Sequence, residues 1–281
     1  MFFALALSGA TTAMALASTA SGMPSSSGMH LITRATFAQK PLTYEVFAPD
    51  SLASAMMMGL IDQNSVFIMD KVEGNPTKLP SGKPAWASIV NLTDASVRPV
   101  EANTNAFCAS GAVLPNGTWI VAGGNNAVTE GGIDATTTNN VYQSTDGRKT
   151  MRLLDTLNVA PTDLSWQDNG SLQMASRRWY PGLEVLADGS LLLVGGAMGG
   201  GYINRNLPNV NQAWEGEEGK GSIENIDGPF GANPTYEYFP KRNVGTNGMQ
   251  MSQFMIDTSG LNMYPHSERL SFFSRVERFW H

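Results

Sequence analysis

The amino-acid sequence predicts an all-β fold, and two observations carry that reading. No long stretch repeats apolar residues at the i, i+3, i+4, i+7 spacing of an amphipathic helix. Short apolar runs bounded by Gly, Asn and Asp turns recur instead. The composition agrees: 281 residues, 42% hydrophobic, with 29 Gly, 15 Pro and only 15% charged side chains, can bury a sizeable core and fit neither a disordered polymer nor a polytopic membrane protein. A net charge of -6 leaves no basic surplus for neutralising phosphates, so nucleic acid is not an expected partner.

Taken in order, residues 1–20 (MFFALALSGATTAMALASTA) are apolar or small, uncharged, and end in small-x-small sites at Ala17 or Ala20. This is the pattern of a secretory signal peptide, and hydroxyl residues interrupt the run too often for a membrane span. The expected product is secreted and extracellular, with no membrane attachment once the signal is cleaved. Residues 21–39 form a Ser- and Gly-containing flexible lead-in. Glycosylation sequons begin at Asn91, Asn116 and Asn169, the latter two in Asn-Gly turns that place them at loop tips.

The core of the chain is a repeated strand-turn-strand unit. Cys108 to Gly124 aligns without a gap on Tyr180 to Gly196, at an offset of 72 residues. Val113-Leu114 matches Val185-Leu186, the Asn116-Gly117 turn matches Asp188-Gly189, and both second strands end in Gly-Gly. In each unit the turn pair supplies positive φ, and the second strand is apolar on both faces, as a strand buried within the molecule requires. Met56 to Asp70 is a weaker third copy with Gln63-Asn64 at the turn. A period of roughly 50 residues with Gly-Gly at the strand end is the kelch-type β-propeller signature. A β-sandwich containing two similar hairpins is the competing architecture. Asn125 to Thr138 and Leu207 to Gly231 read as solvated loops. Asn233–Pro240 (NPTYEYFP), with Pro near both ends, reads as an edge or terminal strand.

Cys108 and Tyr180 hold equivalent positions, each nine residues before the turn glycine. In a propeller such positions converge near the axis; in a sandwich they do not. The segments around them resemble a known family. Thr104–Gly111 (TNAFCASG), Ser176–Pro181 (SRRWYP) and Asp188-Gly189-Ser190 are similar to the N-terminal propeller region of fungal glyoxal oxidases, which are galactose oxidase-like copper radical oxidases. Met69-Asp70-Lys71, Pro84-Ala85-Trp86 and Asn233–Pro240 are similar to the same family, so the resemblance spans about residues 40–266.

The resemblance implies a seven-bladed propeller of which residues 40–267 supply the first few blades. It also implies a thioether between Cys108 and the Tyr180 ring, with Tyr180 as a copper ligand. An ortho thioether donates electron density into the ring and eases removal of one electron, and a phenolate bound to Cu(II) is held deprotonated below its ordinary pKa near 10. The implied substrates are small aldehydes or primary alcohols together with O2, which leaves as hydrogen peroxide. In the family a second Tyr with a neighbouring His, and a further His, complete the copper site. Here the histidines are His30, His266 and His281. Tyr264-Pro265-His266 looks more like the start of another blade, with Tyr264 in the Cys108 and Tyr180 register. The family pattern ends near Ser267, and residues 268–281 (ERLSFFSRVERFWH) read as a divergent tail, either a short helix with Leu270, Phe273, Val276 and Trp280 on one face or sequence that does not order. The expectation is therefore an incomplete copper radical oxidase that lacks the family's histidine ligands. A secreted propeller used as a binding or wall-associated module, without redox chemistry, is the alternative.

Overall fold

The computed structural model describes residues 44–130, 135, 140–198, 233–257, 263–269 and 277–280. The proposed signal peptide and lead-in, His30, His281 and the segment 207–231 lie outside them. The chain divides into Met1–Pro49 and Asp50–His281, and the described strands all belong to the second unit.

That unit is built from antiparallel meanders of consecutive strands. The first sheet has the order β1 (Met57–Asp62), β2 (Ser65–Met69), β3 (Ala87–Asn91), β4 (Val97–Pro99). The second is β5 (Ser110–Val113), β6 (Trp119–Ala122), β7 (Met151–Leu154). The third runs β8 (Gly182–Val185), β9 (Leu191–Val194), β10 (Thr235–Phe239), β11 (Met249–Met251), followed by a short helix α1 (Gln253–Asp257). A last hairpin pairs β12 (His266–Arg269) with β13 (Glu277–Trp280). The fold is all-β, as expected. Among the described residues no sheet closes on itself, so the seven-bladed ring stays an expectation.

The repeat organises the sheets. The second strands β2 and β9 are buried along their whole length and β6 along all but Trp119, because each is covered on both faces. The apolar runs of the sequence anticipated this. Phe67 of β2 meets Trp119 of β6 edge to face at 5.0 Å and Trp166 at 5.3 Å, which ties the first sheet to the second. Ile120, Ala122 and Met151 pack with Leu191 and Leu193, which ties the second to the third.

The hairpin turns differ in detail from the expectation. Only the glycines, Gly117 (φ 82) and Gly189 (φ 80), take the left-handed conformation. Gly117 N–H donates to Leu114 O at 2.8 Å and Leu114 N–H to Thr118 O at 2.9 Å, the bonding of a three-residue loop with a glycine bulge. Asn116 and Asp188 serve through their side chains, accepting from the N–H groups of Thr118 and Ser190. The sequon residues Asn116 and Asn169 are exposed, whereas Asn91 at the end of β3 is half-buried.

Three expectations are corrected. β10 is an internal strand, paired with both β9 and β11. Its prolines, Pro234 and Pro240, sit just outside the paired residues and delimit the ladder instead of interrupting it. In the tail, Glu277–Trp280 is a strand paired with His266–Arg269 and not part of a helix, while Leu270, Phe273 and Val276 lie outside the described residues. Nor is the start of the segment after β6 a solvated loop, since Asn125, Asn126 and Val128 are buried.

Two arginines lie fully buried between sheets. Arg152 of β7 donates from Nε to Thr104 Oγ1 at 2.7 Å and from Nη1 to Gly123 O at 2.7 Å, with Asp168 Oδ2 at 3.7 Å from Nε. Arg178 donates from Nε to Glu237 Oε1 at 2.9 Å and from Nη1 to Gly195 O at 2.8 Å. The two carbonyls belong to equivalent glycines, so one guanidinium caps the same site in each repeat. Removing one partner strands a buried charge, which typically costs about 3–5 kcal/mol. Arg178→Met is therefore expected to lower unfolding stability in urea by about that amount. Adding Glu237→Leu should recover part of it but not all, because the Gly195 carbonyl stays uncapped.

Candidate functional site

Each inner strand β5, β8 and β12 is preceded by a residue two positions upstream: Cys108, Tyr180 and Tyr264. All three are non-glycine residues in the left-handed region, with φ of 59, 60 and 46. Such a conformation is costly for L-residues and persists where surroundings impose it. Here the imposing contacts are backbone hydrogen bonds from one repeat to the next. Tyr180 N–H donates to Cys108 O at 3.1 Å, and Tyr264 N–H donates to Tyr180 O at 2.8 Å. The register thus stacks the three residues, and β8 runs beside both β5 and β12.

Their side chains gather in one cluster. Cys108 is 1% exposed and packs with Trp179, Ala197, Phe107 and the half-buried Tyr180. The Tyr180 ring lies 4.5 Å from the Trp179 ring and meets Tyr264 edge to face at 5.0 Å. Trp179 is itself held by a hydrogen bond from Nε1 to Phe107 O at 3.0 Å. The Cys108 side chain and the Tyr180 and Tyr264 phenols lie close enough to shift one another's protonation. The structure brings together the two residues singled out from their shared register, and it adds Tyr264 to them.

Asp70 completes the cluster from the first sheet. It is 1% exposed; Oδ1 accepts the Cys108 N–H at 3.1 Å, while Oδ2 has no hydrogen-bond partner among the described residues. Sequence reading placed Asp70 inside a family-like motif without giving it a role. The signal was present in the weak third repeat, where Asp70 stands at the place of the first glycine of Gly-Gly.

Burial dominates the electrostatics. It pushes the Cys108 thiol up to about 12, against the pull of the Tyr180 hydroxyl. It raises both the Tyr180 and Tyr264 phenols above their ordinary range, although Tyr264 as a whole residue is 38% exposed. The cluster is therefore neutral at physiological pH apart from Asp70. Burial lifts that carboxyl to about 7, opposed by the Cys108 N–H and by Lys71.

These residues can hold an oxidisable sulfur against electron-rich rings in a water-poor pocket. They do not by themselves form a copper centre. Among the described residues no group of three or more His, Cys, Asp or Glu is placed to hold a metal. The cluster offers phenols, one thiol and one free carboxylate oxygen, but no imidazole. His266 is exposed, and its Nδ1 lies 3.4 Å from Glu184 Oε1. The donor set fits the cross-linked side-chain pair and does not fit the copper site that the resemblance implies.

No family model matches the chain. It is similar, however, to plant aldehyde oxidases. The protein named aldehyde oxidase GLOX of Vitis pseudoreticulata is 24% identical over 176 residues, which make up 57% of this chain and 30% of that protein. Aldehyde oxidase GLOX1 of Arabidopsis thaliana is 27% identical over 173 residues, 56% of this chain and 24% of that one. The chain thus matches less than a third of either relative's length. Among solved structures, a fungal alcohol oxidase in complex with copper aligns over 50% of this chain and 24% of its own, with 14% identity and a TM-score of 0.33. No described helix is long and apolar enough to cross a membrane.

The Asp70 carboxyl makes stability depend on pH. Its native-state pKa of about 7 exceeds the ordinary 3.8, so the folded chain keeps a proton that the unfolded chain releases. Stability is greatest below about pH 4 as far as this group is concerned, and it falls as pH rises towards 7, by roughly 4 kcal/mol in all. Cys108, Tyr180 and Tyr264 stay neutral across that window and do not offset the fall. Asp70→Asn should flatten the decline, leaving urea midpoints at mildly acidic and mildly alkaline pH closer together than in the parent chain.

Proposed function

We propose that the chain carries the organic half of a copper radical oxidase site, a Cys108–Tyr180 thioether, in a secreted oxidase acting on small aldehydes or primary alcohols. The observation that supports this most is the meeting of Cys108 and Tyr180 from equivalent positions of adjacent repeats, with the sulfur against the phenol. The similarity to two aldehyde oxidases points the same way. In the net reaction an aldehyde hydrate loses two electrons and two protons to become the acid, and dioxygen takes them up as hydrogen peroxide. Copper would supply a one-electron redox partner for the phenol. Tyr180 is the donor this chain's described residues would offer it, and imidazole donors would have to come from outside that set.

The roles of the chain's own residues follow from their surroundings. Cys108 and Tyr180 form the bond: one S–H and one ring C–H ortho to the hydroxyl are lost, one C–S bond forms, and two protons and two electrons pass to dioxygen. Trp179 covers the Tyr180 ring and limits water access. Tyr264 presents a second phenol to the sulfur. The meanders are read as the first blades of a kelch-type propeller, the architecture in which equivalent leading residues converge. Glycosylation is proposed at Asn116 and Asn169, both at exposed turns, and at Asn91 with its more restricted access.

The lack of imidazole beside Tyr180 among the described residues favours a second reading, a secreted recognition module of the same fold without redox chemistry. Intact mass separates the two. After incubation with Cu(II) in air, the full chain should lose two hydrogens, and the Cys108 and Tyr180 peptides should be recovered as one cross-linked species. Cys108→Ser should abolish the mass change, and Tyr180→Phe should strongly slow it, because the phenylalanine ring is harder to oxidise. A Cys108 that remains fully alkylatable in the denatured parent chain after this treatment rules out the redox reading and leaves the recognition module.

A further inference from the structure

Asp70 is an anomaly of the repeat. The innermost pairs Met57↔Met69, Ser110↔Ala122 and Gly182↔Val194 end the three hairpins in the same register. The next residues are Asp70, Gly123 and Gly195. At Gly123 a side chain has no room, because a Cβ there would run into Arg178 O and the Pro181 ring, on either side of Trp179-Tyr180. The space beside the leading residues of the following sheet is closed at that joint. At the joint between the first and second sheets a carboxylate occupies it and reaches the backbone of Cys108.

The bonding pattern is otherwise regular. Tyr180 and Tyr264 have their N–H groups accepted by the backbone carbonyls of the preceding leading residues. Cys108 has its N–H accepted by a side chain. A buried carboxylate with one oxygen unpartnered among the described residues is an expensive acceptor, since an unmet buried polar atom is destabilising. The same carboxylate lies within electrostatic reach of Cys108, Tyr180 and Tyr264 as well as bonding the Cys108 amide.

We propose that Asp70 is a positioning residue for the Cys108–Tyr180 bond: by accepting the Cys108 amide proton it holds Cys108 in its left-handed conformation, with the sulfur turned to the Tyr180 ring. The inference rests on the reading above that this bond forms. Asp70 acts through the backbone and takes no part in the electron or proton transfer, which stays as written, with dioxygen as acceptor of both electrons and both protons.

The test follows cross-linking over time by intact mass, using the full chain with Cu(II) in air. Asp70→Asn keeps an oxygen acceptor without the charge, and Asp70→Leu keeps the volume without the acceptor. The expected result is an Asp70→Asn rate within about threefold of the parent, and an Asp70→Leu rate lower by about tenfold or more at an unchanged circular-dichroism spectrum. Amide hydrogen exchange at Cys108 should be slow in the parent and in Asp70→Asn, and fast in Asp70→Leu. An Asp70→Leu chain that cross-links at the parent rate overturns the inference while leaving the proposed bond intact. So does an Asp70→Asn chain slowed about tenfold, since charge and not the hydrogen bond would then be required. That second comparison decides the matter if Asp70→Leu does not fold. A parent chain that never cross-links removes the underlying reading, and the inference with it.

Discussion

The chain of hydrogen bonds running from Asp70 through Cys108 and Tyr180 to Tyr264 is the constraint on which the site depends. Each link joins the start of one inner strand to the sheet before it. A left-handed residue at the start of a strand turns its side chain away from the direction it would take in extended backbone, and three such residues at one register turn theirs into the same region. The conformations cost about 1–2 kcal/mol apiece for residues with a Cβ. Local propensity gives no return for that cost, so it is met by the packing of whole sheets. The site is consequently a property of the joints between sheets, and no single hairpin contains it.

The buried ion pairs show how those joints are kept in register. Val121 pairs with Arg152, and Leu193, its counterpart one repeat later, pairs with Glu237. The same place in the third strand thus holds a cation in one sheet and an anion in the next. Arg152 finds Asp168 in the segment after its strand, whereas Glu237 finds Arg178 in the segment before its sheet. Asp168 also accepts from the N–H groups of Asn103 and Thr104, just upstream of Cys108, and Arg178 is two residues from Tyr180. Burial lowers the pKa of Arg152 only to about 10, with Asp168 opposing the shift, so its charge survives. Both networks therefore clamp the segment that delivers a cluster residue.

Much of this was legible in the sequence because it follows from periodicity. The offset of 72 residues placed Cys108 and Tyr180 in one register, and the structure puts them at one joint. Apolar runs such as Leu191–Val194 identified strands buried on both faces, since no other environment tolerates them. Where the reading failed, a tertiary relation outweighed a local rule. Pro234 and Pro240 suggested an edge strand, yet both lie beyond the ladder and leave β10 free to pair on two sides. The charged tail suggested a helix, yet Glu277–Trp280 finds a partner strand in His266–Arg269. Asp70 was hidden because a repeat search weights what recurs, and its significance is that it replaces a recurring glycine.

The protonation state of the cluster narrows the chemistry it can support. Disulfide exchange and nucleophilic attack by cysteine require the thiolate. Burial holds the Cys108 thiol at about 12, and nearby Asp70 disfavours the anion further whenever it is ionised. Cys108 is also the chain's only cysteine. A neutral, enclosed thiol is poorly reactive toward soluble oxidants and electrophiles, while the aromatic rings packed on it are always within reach. Such a sulfur is suited to one-electron oxidation coupled to loss of its proton, followed by bond formation with the adjacent ring. The features that would make Cys108 inert as an ordinary thiol are compatible with the proposed bond to Tyr180.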